Sequence, residues 1–262
     1  MSDTVLLDSS EGVATITLNR PETLNSFTLE LKEALLETVR QVAADPAARA
    51  VVLTGAGRGF SAGQDLREHA ELLQAGDPAP LRTVREHYNP LIMTLASMPK
   101  PVVAAVNGMA AGAGASLSFA ADFRIAADGA RFLLAFANVG LTLDSGASWT
   151  LPRLVGYARA AAMALLAEPI GATAALEMGL VNAVVPDDRV LVTAHELAAK
   201  FAAGPTAAYA AIKEALAFGA TATLAQTLEK EAELQNRLGA TTDHREATAA
   251  FLRKQNPTFT GR

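Results

Sequence analysis

The chain has 262 residues, of which 50% are hydrophobic but only 5% aromatic, and a formal net charge of −5. That apolar content supports a substantial core and argues against disorder, and the acidic balance gives no electrostatic footprint for nucleic acid. With no cysteine in the chain, disulfides, thiolate metal sites and a cysteine nucleophile are excluded. The longest apolar runs are alanine-rich and broken by Gly, Asp or Arg, so no membrane span is expected. Met1-Ser2-Asp3 shows no basic region followed by an apolar core; no signal peptide is expected, and a cytoplasmic location is.

In chain order, Val5-Leu6-Leu7 and Val13 to Leu18 read as short strands around Glu11-Gly12. A polar loop from Asn19 to Phe27 leads to Thr28, which caps a helix with Leu31, Leu35, Val39 and Val42 at helical spacing, ended by Asp45-Pro46. Ala50 to Thr54 is a buried strand, followed by a loop from Gly55 to Gln64. Residues 66–97 read as helical with a break at Gly76 to Pro80. Pro101 to Val106, Phe123 to Ala126 and Arg131 to Leu134 are further strands. A helix begins near Ser148, another runs from Thr173 to Met178, and Val181 to Val185 is a strand. From Asp187 onward the pattern is helical, with a break at Gly204-Pro205 and a solvated face at Glu229-Lys230-Glu231-Ala232-Glu233. Strands recurring between helices predict an α/β core over residues 1–200 and a helical C-terminal region over 201–262.

The chemistry concentrates between Asn107 and Ser148. Asn107-Gly108-Met109-Ala110-Ala111-Gly112-Ala113-Gly114-Ala115-Ser116 is a small-residue run feeding an apolar segment, which leaves the first backbone N–H groups of a helix unpartnered and approachable. Some thirty residues on, Asp144 sits alone among uncharged neighbours. Donors and a lone acid in a dry setting can stabilise an oxyanion and move a proton. The same residues also admit plainer readings: close helix packing for Ala113 and Gly114, and an N-cap for Asp144. Ser116 has no His-Asp pattern around it and reads as a packing residue. His69 and His87 read as solvated or pocket-edge residues, and Asp122 as support for a strand end. The four histidines show no metal-ligand spacing with acids.

Asn19-Arg20-Pro21, Gly59-Phe60-Ser61-Ala62-Gly63-Gln64-Asp65-Leu66 and the run from Asn107 to Ser116 resemble, in order and spacing across essentially the whole chain, the enoyl-CoA hydratase/isomerase family, the crotonases. The resemblance implies a spiral of ββα units with a C-terminal helical trimerisation region, and a homo-oligomer that is a trimer or a dimer of trimers. It implies an acyl-CoA substrate whose thioester oxygen lies between two backbone donors, here Gln64 and Ala113. It places Leu24, Ser26, Ala62, Asp65, Leu66, Gly112 and Gly114 around the CoA and acyl moieties, Tyr88 against the acyl group, and Arg20, Arg58, Arg67 and Lys254 near the CoA phosphates. CoA being part of the substrate, no separate cofactor and no metal are expected.

Hydratases of the family use two glutamates; the corresponding positions here hold Ser116 and Phe136, neither of which can be a carboxylic acid/base. Asp144 falls where several non-hydratase members carry an active aspartate. A narrower likeness, at Asn25-Ser26-Phe27, Gly55 to Phe60, Tyr88-Asn89-Pro90-Leu91, Ala110 to Ala115 and Phe259-Thr260-Gly261, is to the branch that isomerises ring-epoxide arylacetyl-CoA thioesters to oxepins in phenylacetate breakdown. That branch is also associated with shifting a β,γ double bond into conjugation. Ala147 and Ser148 depart from the Gly-Thr pair more usual there. The expected activity is thus acyl-CoA isomerisation by Asp144 with an oxyanion hole; the alternatives are a hydratase-like enzyme and a non-catalytic partner subunit of the same fold.

Overall fold

The computed structural model describes residues 3–262, so the targeting reading at Met1-Ser2-Asp3 lies partly outside the described residues. β1 (Val5–Ser10) and β2 (Val13–Leu18) form an antiparallel hairpin whose turn residues, Glu11 and Gly12, both have positive φ, 50° and 80°. α1 (Leu29–Ala44) follows, capped by the Thr28 hydroxyl, which accepts from the Leu31 N–H. Then come β3 (Ala50–Gly55), β4 (Gly59–Ser61), α2 (Leu66–Gln74) and α3 (Asn89–Ala96). β5 (Val102–Val106), β6 (Met109–Ala111) and α4 (Ala113–Phe119) form the next unit, and β7 (Phe123–Ala127), β8 (Arg131–Leu133) and α5 (Ala147–Val155) the one after it. α6 (Tyr157–Leu166), β9 (Ile170–Gly171), α7 (Ala172–Glu177), β10 (Ala183–Val185) and α8 (Val190–Ala202) complete the core. The chain ends in α9 (Thr206–Gly219), α10 (Leu224–Gly239) and α11 (Thr242–Leu252).

Two sheets organise the core. The larger runs β1-β2-β3-β5-β7-β10, parallel from β2 onward; the smaller runs β4-β6-β8-β9. Each of the three consecutive units sends its first strand to the large sheet and its second to the small one before turning into a helix, which is the expected spiral of ββα units. β3 and β5 are buried along their whole length, as parallel strands covered on both faces must be, and accordingly show no polar alternation. On one face α8 lies over β3 and β5 with Val190, Ala194, Ala198 and Ala202 turned inward at four-residue spacing, the small side chains letting the helix sit close.

The differences from the sequence reading are local. β4, β6 and β9 have three, three and two residues, too few for a two-residue period to register, and the first two fall in stretches read as loop and small-residue run. The strand expected over Val181 to Val185 begins only at Ala183, because the preceding Asn182 accepts the Arg124 N–H with its side chain. The helix expected near Ser148 starts at Ala147 and is divided from α6 by Gly156, whose φ of 80° and ψ of 159° suit glycine. The break expected at 76–80 ends at Leu81; Arg82 and Thr83 are helical and lead into a π-helical turn, Val84–Tyr88, that runs into α3.

The last helices are tied to the core by polar contacts. The Lys213 ammonium donates to Asp122 at 2.7 Å, and Asp122 in turn accepts the Val102 N–H at the start of β5, the strand-end role expected of it. The buried Asp243 carboxylate accepts the N–H groups of Thr260 and Gly261 at 2.7 and 2.8 Å, while Arg49 donates to the Phe259 carbonyl at 3.2 Å. Ile212, Leu216, Leu224, Leu228 and Phe251 face solvent in the single chain. Among the described residues, no helix is long and apolar enough to cross a membrane.

Candidate active site

β4, β6 and β8 are parallel neighbours, so their carboxyl ends open on one edge of the small sheet. The chain leaving each end lines one apolar cavity of about 110 Å³: Ala62 and Gln64 after β4, Gly112 and Ala113 after β6, Ala135 and Phe136 after β8. This is where open α/β sheets gather ligands.

Two backbone donors converge there. The Gly63 carbonyl accepts the Phe27 N–H at 2.7 Å, and in a trans peptide the following N–H points the opposite way, so the Gln64 N–H is directed away from Phe27. The Gly112 carbonyl accepts the Ser116 N–H at 3.1 Å inside the first turn of α4, so the Ala113 N–H points out of the helix start. Neither N–H has a protein acceptor among the described residues. Their proximity depends on Gly63, at φ +82°: a Cβ there would lie 2.6 Å from the Ala111 carbonyl oxygen and 3.2 Å from the Ala113 nitrogen.

Asp144 lines the same cavity, at the end of a loop that Ser145 and Gly146 turn sharply with φ of 50° and 75°. Burial pushes its carboxyl up from the ordinary value, opposed by the hydrogen bond that its Oδ1 accepts from the Ser145 hydroxyl at 2.8 Å. It is not the cap of α5. That position belongs to Gly146, with no side-chain cap, and Asp144 contributes only its carbonyl, to the Ala147 N–H. Its apolar surroundings come from Phe136, Val139 and Leu141; Trp149, five positions on, is half-exposed and stacked on Arg153.

Tyr88 closes another wall. It is buried at the end of the π-helical turn, packs against Phe27 with ring centroids 5.9 Å apart, and donates its hydroxyl to Gln64 Oε1. Burial, with Asp144 and Glu68 nearby, holds its phenol well above the ordinary value, so it stays protonated. The same Gln64 oxygen accepts from the Lys32 ammonium at 3.3 Å. Lys32 is 4% exposed; desolvation lowers its pKa, against the opposing pull of Glu68, Asp65 and Glu33. Sequence reading did not single out Lys32. The signal available was a lysine next to Leu31 and three residues before Leu35, on the apolar stripe of α1.

The cavity therefore brings together Gln64, Ala113, Asp144, Ala62, Leu66, Tyr88 and Gly112, and His69 joins them at the edge. It does not include Leu24, Ser26, Asp65 or Gly114. Ser26 donates to Asp65 at 2.9 Å, and Arg20 donates to the Ser26 carbonyl and reaches Asp65 at 3.4 Å, so these three side chains lock the loop after β2 onto the start of α2. Burial alone would raise the Asp65 carboxyl, but Ser26, the Glu68 and Arg67 N–H groups and Arg20 together hold it below its ordinary value. Gly114 is a packing position: a Cβ there would stand 2.5 Å from the Ser61 carbonyl oxygen. Arg58, Arg67 and Lys254 are exposed outside the cavity. Ser116 is fully buried and bonds the Gly112 carbonyl, and His87 pairs with Thr83. Among the described residues no three His, Asp or Glu side chains are grouped to hold a metal ion.

The profile of the enoyl-CoA hydratase/isomerase family matches residues 8–262. The chain is 45% identical over 264 residues to the 1,2-epoxyphenylacetyl-CoA isomerase of Escherichia coli K12, covering 100% of both. It is 47% identical over 260 residues to a Rhodobacter capsulatus protein that carries the provisional name enoyl-CoA hydratase, covering 99% of this chain and 98% of that one. A crystal structure from Mycobacterium abscessus, provisionally assigned to enoyl-CoA hydratase/isomerase, superposes with a TM-score of 0.95 at 45% identity, covering 98% of this chain and 100% of that one.

Proposed function

This chain belongs to the enoyl-CoA hydratase/isomerase family, and within it we propose that it is an acyl-CoA isomerase in which Asp144 shuttles a proton while the N–H groups of Gln64 and Ala113 hold the thioester oxygen. The observation that carries this reading is one apolar cavity lined by both donors and by a single carboxylate, Asp144. For a β,γ-unsaturated thioester, the Asp144 carboxylate takes the α-proton and the C–H electrons form the Cα–carbonyl double bond of an enolate. The negative charge on oxygen rests between the two N–H groups, each worth about 2.7–4 kcal/mol in comparable sites. The protonated Asp144 then returns the proton to the γ-carbon on the same face, and the double bond ends between Cα and Cβ. In a ring-epoxide arylacetyl thioester, as named for the E. coli relative, the α-proton lies between thioester and ring, so the same shuttle can accompany expansion to the oxepin. No cofactor beyond the CoA of the substrate enters this sequence.

Incubating the protein with β,γ-unsaturated acyl-CoAs should generate the ultraviolet absorbance of the conjugated enoyl thioester. Hydration of crotonyl-CoA should be far slower, because Phe136 is an apolar wall and Ser116 is buried against the Gly112 carbonyl where hydratases need two acids. The R. capsulatus relative keeps a hydratase reading in play, and comparable turnover in the two assays would favour it.

The proton shuttle also fixes the pH dependence. Asp144 must be ionised to accept the α-proton, and burial raises its pKa, so kcat should rise with pH through a value above the ordinary carboxylate pKa and then level off. A rate independent of pH across the acidic range would contradict Asp144 as the base.

The exposed apolar positions of α9–α11 support assembly into a trimer or a dimer of trimers, with residues 201–262 as the oligomerisation region. Light scattering that finds only a 27.2 kDa species at micromolar concentration would overturn this.

A further inference from the structure

Beside the acyl cavity lies a second, solvent-open space of about 320 Å³, lined by charged groups including Glu33, Glu68, Asp77, Glu86 and Arg82, of which Glu33, Arg82 and Glu86 are exposed. Only Gln64 and Thr83 line both spaces. Tyr88 belongs to the apolar side and Lys32 to the charged side, and each donates to the same atom, Gln64 Oε1. The Gln64 carboxamide therefore stands between the two spaces with a donor gripping it from each.

We propose that the Gln64 side chain is a specificity-determining partition that ends the acyl cavity and restricts the substrate to compact, apolar acyl groups; this rests on the cavity being the acyl site. Swinging the amide aside would take from the buried Lys32 ammonium its one side-chain acceptor, an expensive loss for a buried charge. A hydrocarbon tail that did pass would also strip water from the carboxylates beyond. Next to Gln64, Lys32 offers a different end group an anchor, where the lining beyond it is largely acidic. An acyl chain ending in a carboxylate can present an oxygen to Lys32 and Tyr88 in place of Gln64 Oε1, once that side chain is gone.

Calorimetry with two ladders of saturated acyl-CoAs, methyl-ended and ω-carboxylated, tests this without relying on turnover. Wild-type affinity should fall off beyond the length that fills the cavity, in both ladders. In Gln64→Ala, which keeps the backbone donor, the fall-off of the ω-carboxylated ladder should move outward by two methylenes or more, a gain of about tenfold at those lengths. The Lys32→Met/Gln64→Ala double variant leaves no unpaired ammonium; it should lose that preference for the carboxylate end while still accepting the longer methyl-ended ligands. An unchanged cut-off in both variants overturns the partition while leaving the acyl site standing. A wild-type protein that binds no member of either ladder overturns the acyl site and the partition together.

Discussion

Replacing Asp144 by asparagine should lower the isomerisation rate about 10²–10⁴-fold, the range for removal of a positioned general base. The substitution keeps the size of the side chain and leaves Gln64 and Ala113 untouched, so affinity for a saturated acyl-CoA should stay near the wild-type value. Stability should not suffer. Because burial raises the Asp144 pKa, the folded state holds its proton more tightly than the unfolded one, and the stability this gives is lost as pH rises through the folded pKa. At neutral pH the ionised carboxylate is thus a liability to the fold, and Asp144→Asn should melt at or slightly above the wild-type temperature, with the difference closing in acid. Asp144→Ala should be equally inactive and lose no helix cap, since Gly146 holds that position. Retention of more than half the wild-type rate by a folded Asp144→Asn protein would sink the assignment, and Tyr88, which shares the cavity, would be tested next.

Gly63→Ala should damage both the site and the fold. A Cβ on Gly63 would stand 2.6 Å from the Ala111 carbonyl oxygen and 3.2 Å from the Ala113 nitrogen, at a φ of +82° that alanine resists. Relief requires the strand ends carrying the two donors to move apart. The expected loss is that of one oxyanion donor, about 10²–10³-fold in kcat, together with about 1–3 kcal/mol of stability from overpacking. Denaturant unfolding and steady-state kinetics on the same preparation separate the two effects. A destabilised protein with an undiminished kcat would mean that the thioester oxygen does not sit between Gln64 and Ala113.

Several of these features could be read in the sequence because they follow from local chemistry. The apolar spacing of α1, the continuous apolar runs of β3 and β5, and the small residues before α4 each carry their own signal. The three short strands β4, β6 and β9 carry none, since pairing and not period defines them. Asp144 could be found as a lone acid, but its capping role could not be judged until the helix start was seen to fall at Gly146. Ser26, Asp65 and Arg20 were legible as a motif, yet whether they meet a ligand or one another is a matter of side-chain direction, and they meet one another. Lys32 and Tyr88 lie 56 positions apart, by subtraction of their numbers, and nothing local links them; only the fold brings both to Gln64.

The order in which the units deliver their pieces bears on how such a protein can change its trade. Both backbone groups proposed to grip the thioester leave the ends of β4 and β6, while the proposed acid is held on the loop that follows β8, beyond Phe136. Variation confined to residues 134–146 would therefore change the acid and the acyl wall built by Phe136, Val139 and Leu141 while leaving both backbone donors in place. A combinatorial library over that single loop, screened on several thioesters, would sample new reactions from a retained grip, whereas the same number of changes spread over residues 61–64 and 111–114 would mostly yield proteins that bind nothing.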